Sequence, residues 1–275
     1  MVGASAGIGR AIALRAAAIG GDVVFCGRRE GRLQEAIELA GSGHPVVADI
    51  SDPPQCDALV TAAVEAVGGL DLVVLAASGS GMALLTDTGE EIWRCILYTN
   101  IVGPSLIVRA ALPHLSPGAV VAFLSSGSVG LPIAGVVPYT VSKAGMEDLV
   151  RGWRIEQPHF RFTNIAVGPT DGTDFARDVD PVIGAELLPF HVGLGRMWAK
   201  NMHADELGPL IADSLALALA SPGVDCQDYT FRPPGLPYIG DVASFLEVRG
   251  AGDYASFTEG WATGGPAGKP PASGA

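Results

Sequence analysis

Val2-Gly3-Ala4-Ser5-Ala6-Gly7-Ile8-Gly9 opens the chain and runs straight into an Ala-rich segment, Gly9 to Ala18, with helical spacing. Glycines at 3, 7 and 9 let a backbone turn come close to a pyrophosphate, and the first turn of a helix adds favourable partial charge there. Alone, such a turn is a weak signal, and it normally follows a buried strand. Here it begins two residues after Met1.

Outward from that turn, short apolar runs alternate with amphipathic segments. Asp22 to Cys26, Pro45 to Ala48, Leu70 to Ala76, Ala119 to Leu124, Phe162 to Val167 and Asp228 to Phe231 read as strands. Arg32 to Ala40, Pro54 to Val67, Glu90 to Leu112, Tyr139 to Glu156 and Asp205 to Ala220 read as helices. The alternation predicts an α/β fold, a doubly wound parallel sheet with helices on both faces. A strand of about 5–6 residues is expected ahead of the glycine turn, and each buried backbone group left unpaired beside an empty slot costs roughly 1–3 kcal/mol. Against a total stability of about 5–15 kcal/mol, three readings are open. The start lies upstream of Met1, another segment fills the slot, or the isolated chain is unstable.

With 275 residues, 48% of them hydrophobic, the chain can bury one full core. Residues 1–233 read as that domain and 234–275 as a Gly- and Pro-rich extension. Within it, Ile239 to Trp261 keeps enough apolar side chains to dock on the body or a partner, or forms a loosely packed extension, and Gly264 to Ala275 is expected to be disordered. A net charge of −12 opposes nucleic acid as a partner. Cys26, Cys56, Cys95 and Cys226 are scattered, so neither a metal site nor a disulfide framework is suggested, and a cytoplasmic location is expected. No membrane span is expected, because Gly, Pro or charge interrupts every apolar stretch. His159, His191 and His203 show no catalytic spacing.

The chemistry points to Tyr139-Thr140-Val141-Ser142-Lys143. On a helix the phenol and the ammonium sit one turn apart on one face, where the charge can stabilise a phenolate. Two unit charges about 4 Å apart interact by about 4 kcal/mol at an effective dielectric near 20. A phenol so stabilised can trade protons with a carbonyl or alcohol oxygen. After the strand ending at Cys26 comes Gly27-Arg28-Arg29, with no carboxylate to grip ribose hydroxyls. An arginine fork there suits the extra phosphate of NADP, with Arg28 the first choice and Arg29 the second.

In this order the residues resemble the short-chain dehydrogenase/reductase family, from about Val2 to Arg232. Gly3-Ala-Ser-Ala-Gly7-Ile-Gly9 looks like the family's glycine motif, Asp49 like the acidic residue that meets the adenine amino group, and Asn100, Ser126, Tyr139 and Lys143 like its catalytic tetrad. The resemblance implies a Rossmann-type single domain and an oxidoreductase using NADP(H), with Tyr139 as general acid/base and Ser126 holding the substrate oxygen. Lys143 would bind the nicotinamide ribose, and Asn100 would anchor a water that links Lys143 to solvent. It also implies that Gly3, Ser5, Gly7, Ile8, Gly9, Asp49, Ile50, Ala76, Ala77, Gly168, Thr170 and Thr173 line the cofactor.

The chain departs from the family where Asn-Asn-Ala-Gly becomes Leu75-Ala76-Ala77-Ser78, followed by Gly79, where Pro-Gly becomes Val167-Gly168, and where Asp-Gly-Gly becomes Arg232-Pro233-Pro234-Gly235. The resemblance makes Phe175, Val182, Leu187, Leu188, Phe190, Met197 and Trp198 a substrate lid, whose apolar content suits a hydrophobic carbonyl or alcohol. It implies a homodimer or homotetramer through the helices after Glu90 and Tyr139. Two other readings stand beside it: a non-catalytic nucleotide-binding or interaction protein, and an N-terminally truncated, inactive relative.

Overall fold

A computed structural model of the chain describes residues 1–176, 181–252 and 256–257. In chain order the elements are α1 (Gly7–Ala18), β1 (Val24–Gly27), α2 (Glu30–Ala40), β2 (His44–Val47), α3 (Pro53–Val67), β3 (Leu70–Leu75), α4 (Glu90–Leu97), α5 (Gly103–Ala111), β4 (Leu115–Ser126), α6 (Val137–Glu156), β5 (Arg161–Val167), β6 (Thr170–Asp171), α7 (Pro181–Gly193), β7 (Met202–His203), α8 (Ala204–Ala220), β8 (Asp228–Phe231) and α9 (Val242–Val248).

All the strand pairs are parallel, as expected of strands joined by helices: β1 with β2, and β3, β4, β5 and β8 in that order. What joins the two groups is Val2, bridged in parallel to Cys26 on one side and to Leu75 on the other. Its N–H donates to Val74 O and its carbonyl accepts from Ala76 N, both at 2.9 Å, while Cys26 N donates to Met1 O at 2.9 Å. Met1–Val2 thus supplies the ladder contacts of a central strand at the end that carries the glycine turn. That is the end where an open parallel sheet binds ligands.

Strand side chains alternate between two layers. Cys26, Leu75, Val121, Phe123 and Phe162 point to the layer of α3, α5 and α6. Val74, Val120, Ala122, Leu124 and Ile165 point to the opposite layer, against Ile12 of α1 and Ile211 and Leu215 of α8. On β1, Phe25 packs against α1 and α2 with Leu33 and Ala36.

The sequence reads one helix from Glu90 to Leu112, but the structure breaks it with a π-helical turn, Tyr98–Val102, between α4 and α5. Glu90–His114 is nonetheless one helical stretch long and apolar enough to cross a membrane by length and composition. Here Ile96, Asn100, Ile107, Val108 and Ala111 are buried within the protein. Beyond β8 the extension docks on the body: Phe245 of α9 is buried with Leu188 and Val192 of α7 and with Phe257. Trp261 and Gly264 to Ala275 lie outside the described residues.

Candidate active site

The glycine turn is built by close backbone approach. Gly3 takes φ +92°, a left-handed conformation. A Cβ there would lie 2.5 Å from Ala77 N, and one on Gly9 would lie 2.2 Å from Gly3 O. The chain therefore crosses itself where only glycine fits. Ala76 and Ala77 both donate their N–H to Val2 O, which pins the end of β3 to the turn. The Ala6 N-cap of α1 offers no side-chain bond to the helix start, so the first amides of α1 remain available to an acceptor oxygen. Ile8 packs against the α8-side core, behind the turn. Gly9→Ala is expected to lower stability by about 1–3 kcal/mol through overpacking, seen as a lower melting temperature. A variant that melts with the wild type would mean that the turn relaxes around a methyl group.

The tetrad residues come from three elements. Tyr139 and Lys143 lie on the first turns of α6, Ser126 ends β4, and Asn100 sits in the π-helical turn. Tyr139, Lys143 and Asn100 are buried. Lys143 Nζ lies 5.7 Å from the centre of the Tyr139 ring and donates to Leu124 O at 2.7 Å. Ser126 Oγ pairs with Ser128 Oγ at 2.9 Å and accepts from Ser128 N at 3.1 Å.

The electrostatics differ from the expectation of a lysine-stabilised phenolate. Burial pushes the Tyr139 phenol above its ordinary value of 10.0, and its bond with Ser126 pulls it back only in part. Burial also brings the Lys143 ammonium down to about 8, opposed by the charge of Glu147. One of the ammonium's three protons goes to a backbone carbonyl, and desolvation is the largest influence on the phenol.

The Asn100 side chain is fully engaged within the protein. Its Oδ1 accepts from Gly79 N (2.7 Å) and Ser78 Oγ (3.1 Å), and its Nδ2 donates to Gly79 O (2.9 Å) and Ser142 Oγ (2.8 Å). All four side-chain hydrogen-bonding positions are filled. The side chain ties the Ser78–Gly79 loop to α6, because Ser142 Oγ in turn donates to Tyr139 O at 2.7 Å. Sequence reasoning missed Ser142, and it missed Glu147. The Glu147 carboxylate accepts from Ser125 Oγ at 2.6 Å and its side chain is 15% exposed. The available signal was its position four residues after Lys143, on the same helix face.

Beyond the end of β1, Arg28 stands 3.7 Å from the Asp49 carboxylate in a partly exposed pair. Burial raises the Asp49 carboxyl, but Ser51 and Arg28 outweigh it and hold the group below its ordinary value. Ile50 is buried, and its carbonyl would be 2.2 Å from a Cβ on Gly103, so the start of α5 rests on it. Arg29 is drawn over the glycine turn, with Nη2 donating to Ser5 Oγ at 3.0 Å and pairing with Asp174 at 2.7 Å.

The segment after β5 closes over these groups. Gly168 N donates to Phe231 O, and Thr170 is buried with its hydroxyl on Gly168 O at 2.9 Å. Thr173 lies against Gly7, about where a Cβ on that glycine would be in contact, at 3.4 Å. The Phe175 ring meets Tyr139 edge-on at 5.1 Å. Of the apolar residues expected to form a lid, Phe175 meets Tyr139, and Leu187 lies beside Gly135 and Met82. Leu188 is buried toward α9, while Val182 and Phe190 are exposed. His191 is buried with its ring on Ala134 O at 2.9 Å, and His203 accepts from Asp205 N at the start of α8.

Comparison with known proteins agrees with this architecture. A family model described as short chain dehydrogenase matches residues 1–182. An uncharacterised oxidoreductase of Staphylococcus epidermidis is 30% identical over 216 residues, covering 72% of this chain and 94% of that protein. A protein of Streptomyces violaceoruber named for ketoacyl reduction in the granaticin polyketide synthase is 33% identical over 178 residues, 62% of this chain, and the match spans 65% of that relative's length. Among solved structures, a short chain dehydrogenase from Burkholderia cenocepacia in complex with NADP superimposes with a TM-score of 0.71 at 26% identity, covering 84% of this chain and 94% of that one.

Proposed function

The chain belongs to the short-chain dehydrogenase/reductase family, and on that footing we propose that it transfers hydride between NADP(H) and a hydrophobic carbonyl or alcohol. The observation that carries this reading is the convergence of Tyr139 and the glycine turn under one segment, with Phe175 on the phenol and Thr173 on Gly7. The residues present suit a dinucleotide: crossing backbones that exclude any Cβ, uncapped helix amides and a paired arginine and serine.

A bound nicotinamide supplies or takes up the hydride. In the reductive direction Tyr139 gives its proton to the substrate oxygen, which Ser126 holds by a hydrogen bond. A phenol that burial keeps protonated suits that direction. Lys143, next to the phenol, compensates the phenolate as it forms and meets the ribose hydroxyls. A proton returning from solvent through Asn100 would have to use its backbone in the π-helical turn, since the side chain is fully bonded.

For cofactor choice we assign the 2′-phosphate of NADP to Arg29 with Ser5, ahead of Arg28. Arg29 already holds a carboxylate beside the serine, whereas Arg28 points to Asp49. Arg29→Leu is expected to weaken NADPH binding about tenfold or more, the value of one lost charge-assisted bond, and to leave NADH binding nearly unchanged. An equal loss for both cofactors, or a larger effect from Arg28→Leu, would reverse the assignment.

The apolar faces of Phe175, Leu187 and Met82 favour a hydrophobic substrate. Exposed Val141 and Ile155 on α6 offer apolar area for a homodimer or homotetramer, which light scattering would test. The function itself is tested by NADPH consumption with a panel of apolar ketones and aldehydes. Turnover of apolar members supports the reading, and consumption indifferent to every carbonyl contradicts it.

A further inference from the structure

Arg249, the residue after α9, reaches from the C-terminal extension to Asp171 in the middle of the segment that covers the site. Its Nη2 sits 3.2 and 3.0 Å from the two carboxylate oxygens of Asp171, with the side chains 7% and 12% exposed. Asn201 Nδ2 adds a third bond to the same carboxylate at 2.8 Å. Asp171 also lies in β6, paired with His203 of β7, so two other pieces of chain, the 201–203 stretch and Arg249, meet on it. Arg249 is in turn fixed by its neighbours. Its guanidinium lies over the Phe257 ring at 5.4 Å, and α9 is seated by fully buried Phe245 against Leu188 and Val192 of α7. The other terminal nitrogen, Nη1, is buried without a partner among the described residues.

A nearly buried ion pair is a poor way to gain stability, since desolvation offsets the attraction, but it is directional and sensitive to loss of one member. Apolar packing already seats α9, so docking alone does not explain the pair. What it holds is the segment that begins at Thr170, places Thr173 on Gly7 and sets Phe175 against Tyr139. We propose that Arg249 is a positioning residue: by holding Asp171 it fixes the Thr170–Phe175 segment over the glycine turn and Tyr139, and so makes the docked C-terminal helix part of the wall of the site. The proposal takes the meaning of that segment from the oxidoreductase reading, while the mechanical link stands on the contacts alone.

The experiment uses the full chain and three variants, Arg249→Met, Asp171→Asn and the double variant, with Arg249→Lys as the conservative replacement. Hydrogen exchange without added ligand is followed in three regions: residues 168–176, α9 and the β4–β5 core. Arg249→Met is expected to speed exchange in 168–176 by about tenfold or more, as for a segment released to local opening, with the core unchanged. Asp171→Asn should do the same, the double variant should add nothing, and Arg249→Lys should restore most of the protection. In parallel, fluorescence titration should show NADPH bound about tenfold more weakly by Arg249→Met and by Asp171→Asn.

Faster exchange confined to α9, or additive losses in the double variant, would overturn the proposal and leave the pair as simple docking. If Arg249→Met fails to fold, the isosteric Asp171→Asn decides by the same readout. If the wild type binds no NADPH, the oxidoreductase reading fails, and the exchange pattern alone still decides whether Arg249 holds the segment.

Discussion

Tyr139→Phe is expected to lower NADPH-dependent carbonyl turnover by about 10²–10⁴-fold, the usual contribution of a positioned general acid. Stability should change little, because phenylalanine fills the same volume and the Phe175 ring keeps its edge-on neighbour. Ser126 keeps its contacts with Ser128, so removing the hydroxyl strands no buried donor there. NADPH affinity should also persist, since the glycine turn and Arg29 are untouched. The measurement is initial rate beside a binding titration and a thermal melt. Wild-type turnover in this variant would remove Tyr139 from the chemistry.

Lys143→Met should show effects of opposite sign on activity and stability. Turnover is expected to fall by about 10²-fold or more, because the phenolate that forms loses the neighbouring ammonium. Stability near neutral pH should not fall. Burial holds the ammonium at about 8 against an ordinary 10.5, so below about pH 8 the folded wild type carries the full cost of the buried charge. Between those values the unfolded chain binds the additional proton, and stability therefore rises with pH across the window. The contribution is on the order of 1–3 kcal/mol, at 1.36 kcal/mol per pKa unit. The Tyr139 phenol opposes this only above its ordinary value of 10.0, where the unfolded chain ionises first and stability declines. Urea unfolding of both proteins at neutral and mildly alkaline pH reads the effect. Cys26 and Cys56, whose buried thiols lose stability above pH 9, affect both proteins alike, so the stability difference between them should shift toward the wild type from pH 8 to 10; a constant difference would show that the ammonium is not desolvated.

Much of the fold is legible in the sequence because strand and helix periods differ and each apolar run packs on a face the pattern already implies. Asp228 to Phe231 is recovered to the residue, and α3 within one residue. The break between α4 and α5 is invisible for a physical reason. Apolar residues continue through Tyr98–Val102, and only the buried Asn100 marks the place where backbone and side-chain bonding change. Helix α7 is hidden in the sequence because it is apolar nearly all round and interrupted by Gly184 and Pro189, which masks its period. Helix α9 is short, and Phe245 acquires its meaning only from α7, which lies some fifty residues away in sequence.

The candidate site divides in the same way. Gly3, Gly9, Tyr139 and Lys143 announce themselves by residue type and spacing, since backbone crossing and a phenol beside an ammonium each need those types. The partners that set their chemistry do not. Leu124 O reaches Lys143 through tertiary packing, and Ser142 and Glu147, although on α6 itself, gain their roles only when Asn100 and Ser125 pack against them. The pairing of Asp171 with Arg249 spans 78 positions and has no local signature.

The most direct test of the central claim is a fluorescence titration of the full chain with NADPH beside NADH. Saturable binding of both at the glycine turn, with NADPH about tenfold or more the tighter through Arg29, is the predicted result. A chain that melts cooperatively yet binds neither nucleotide would contradict the account.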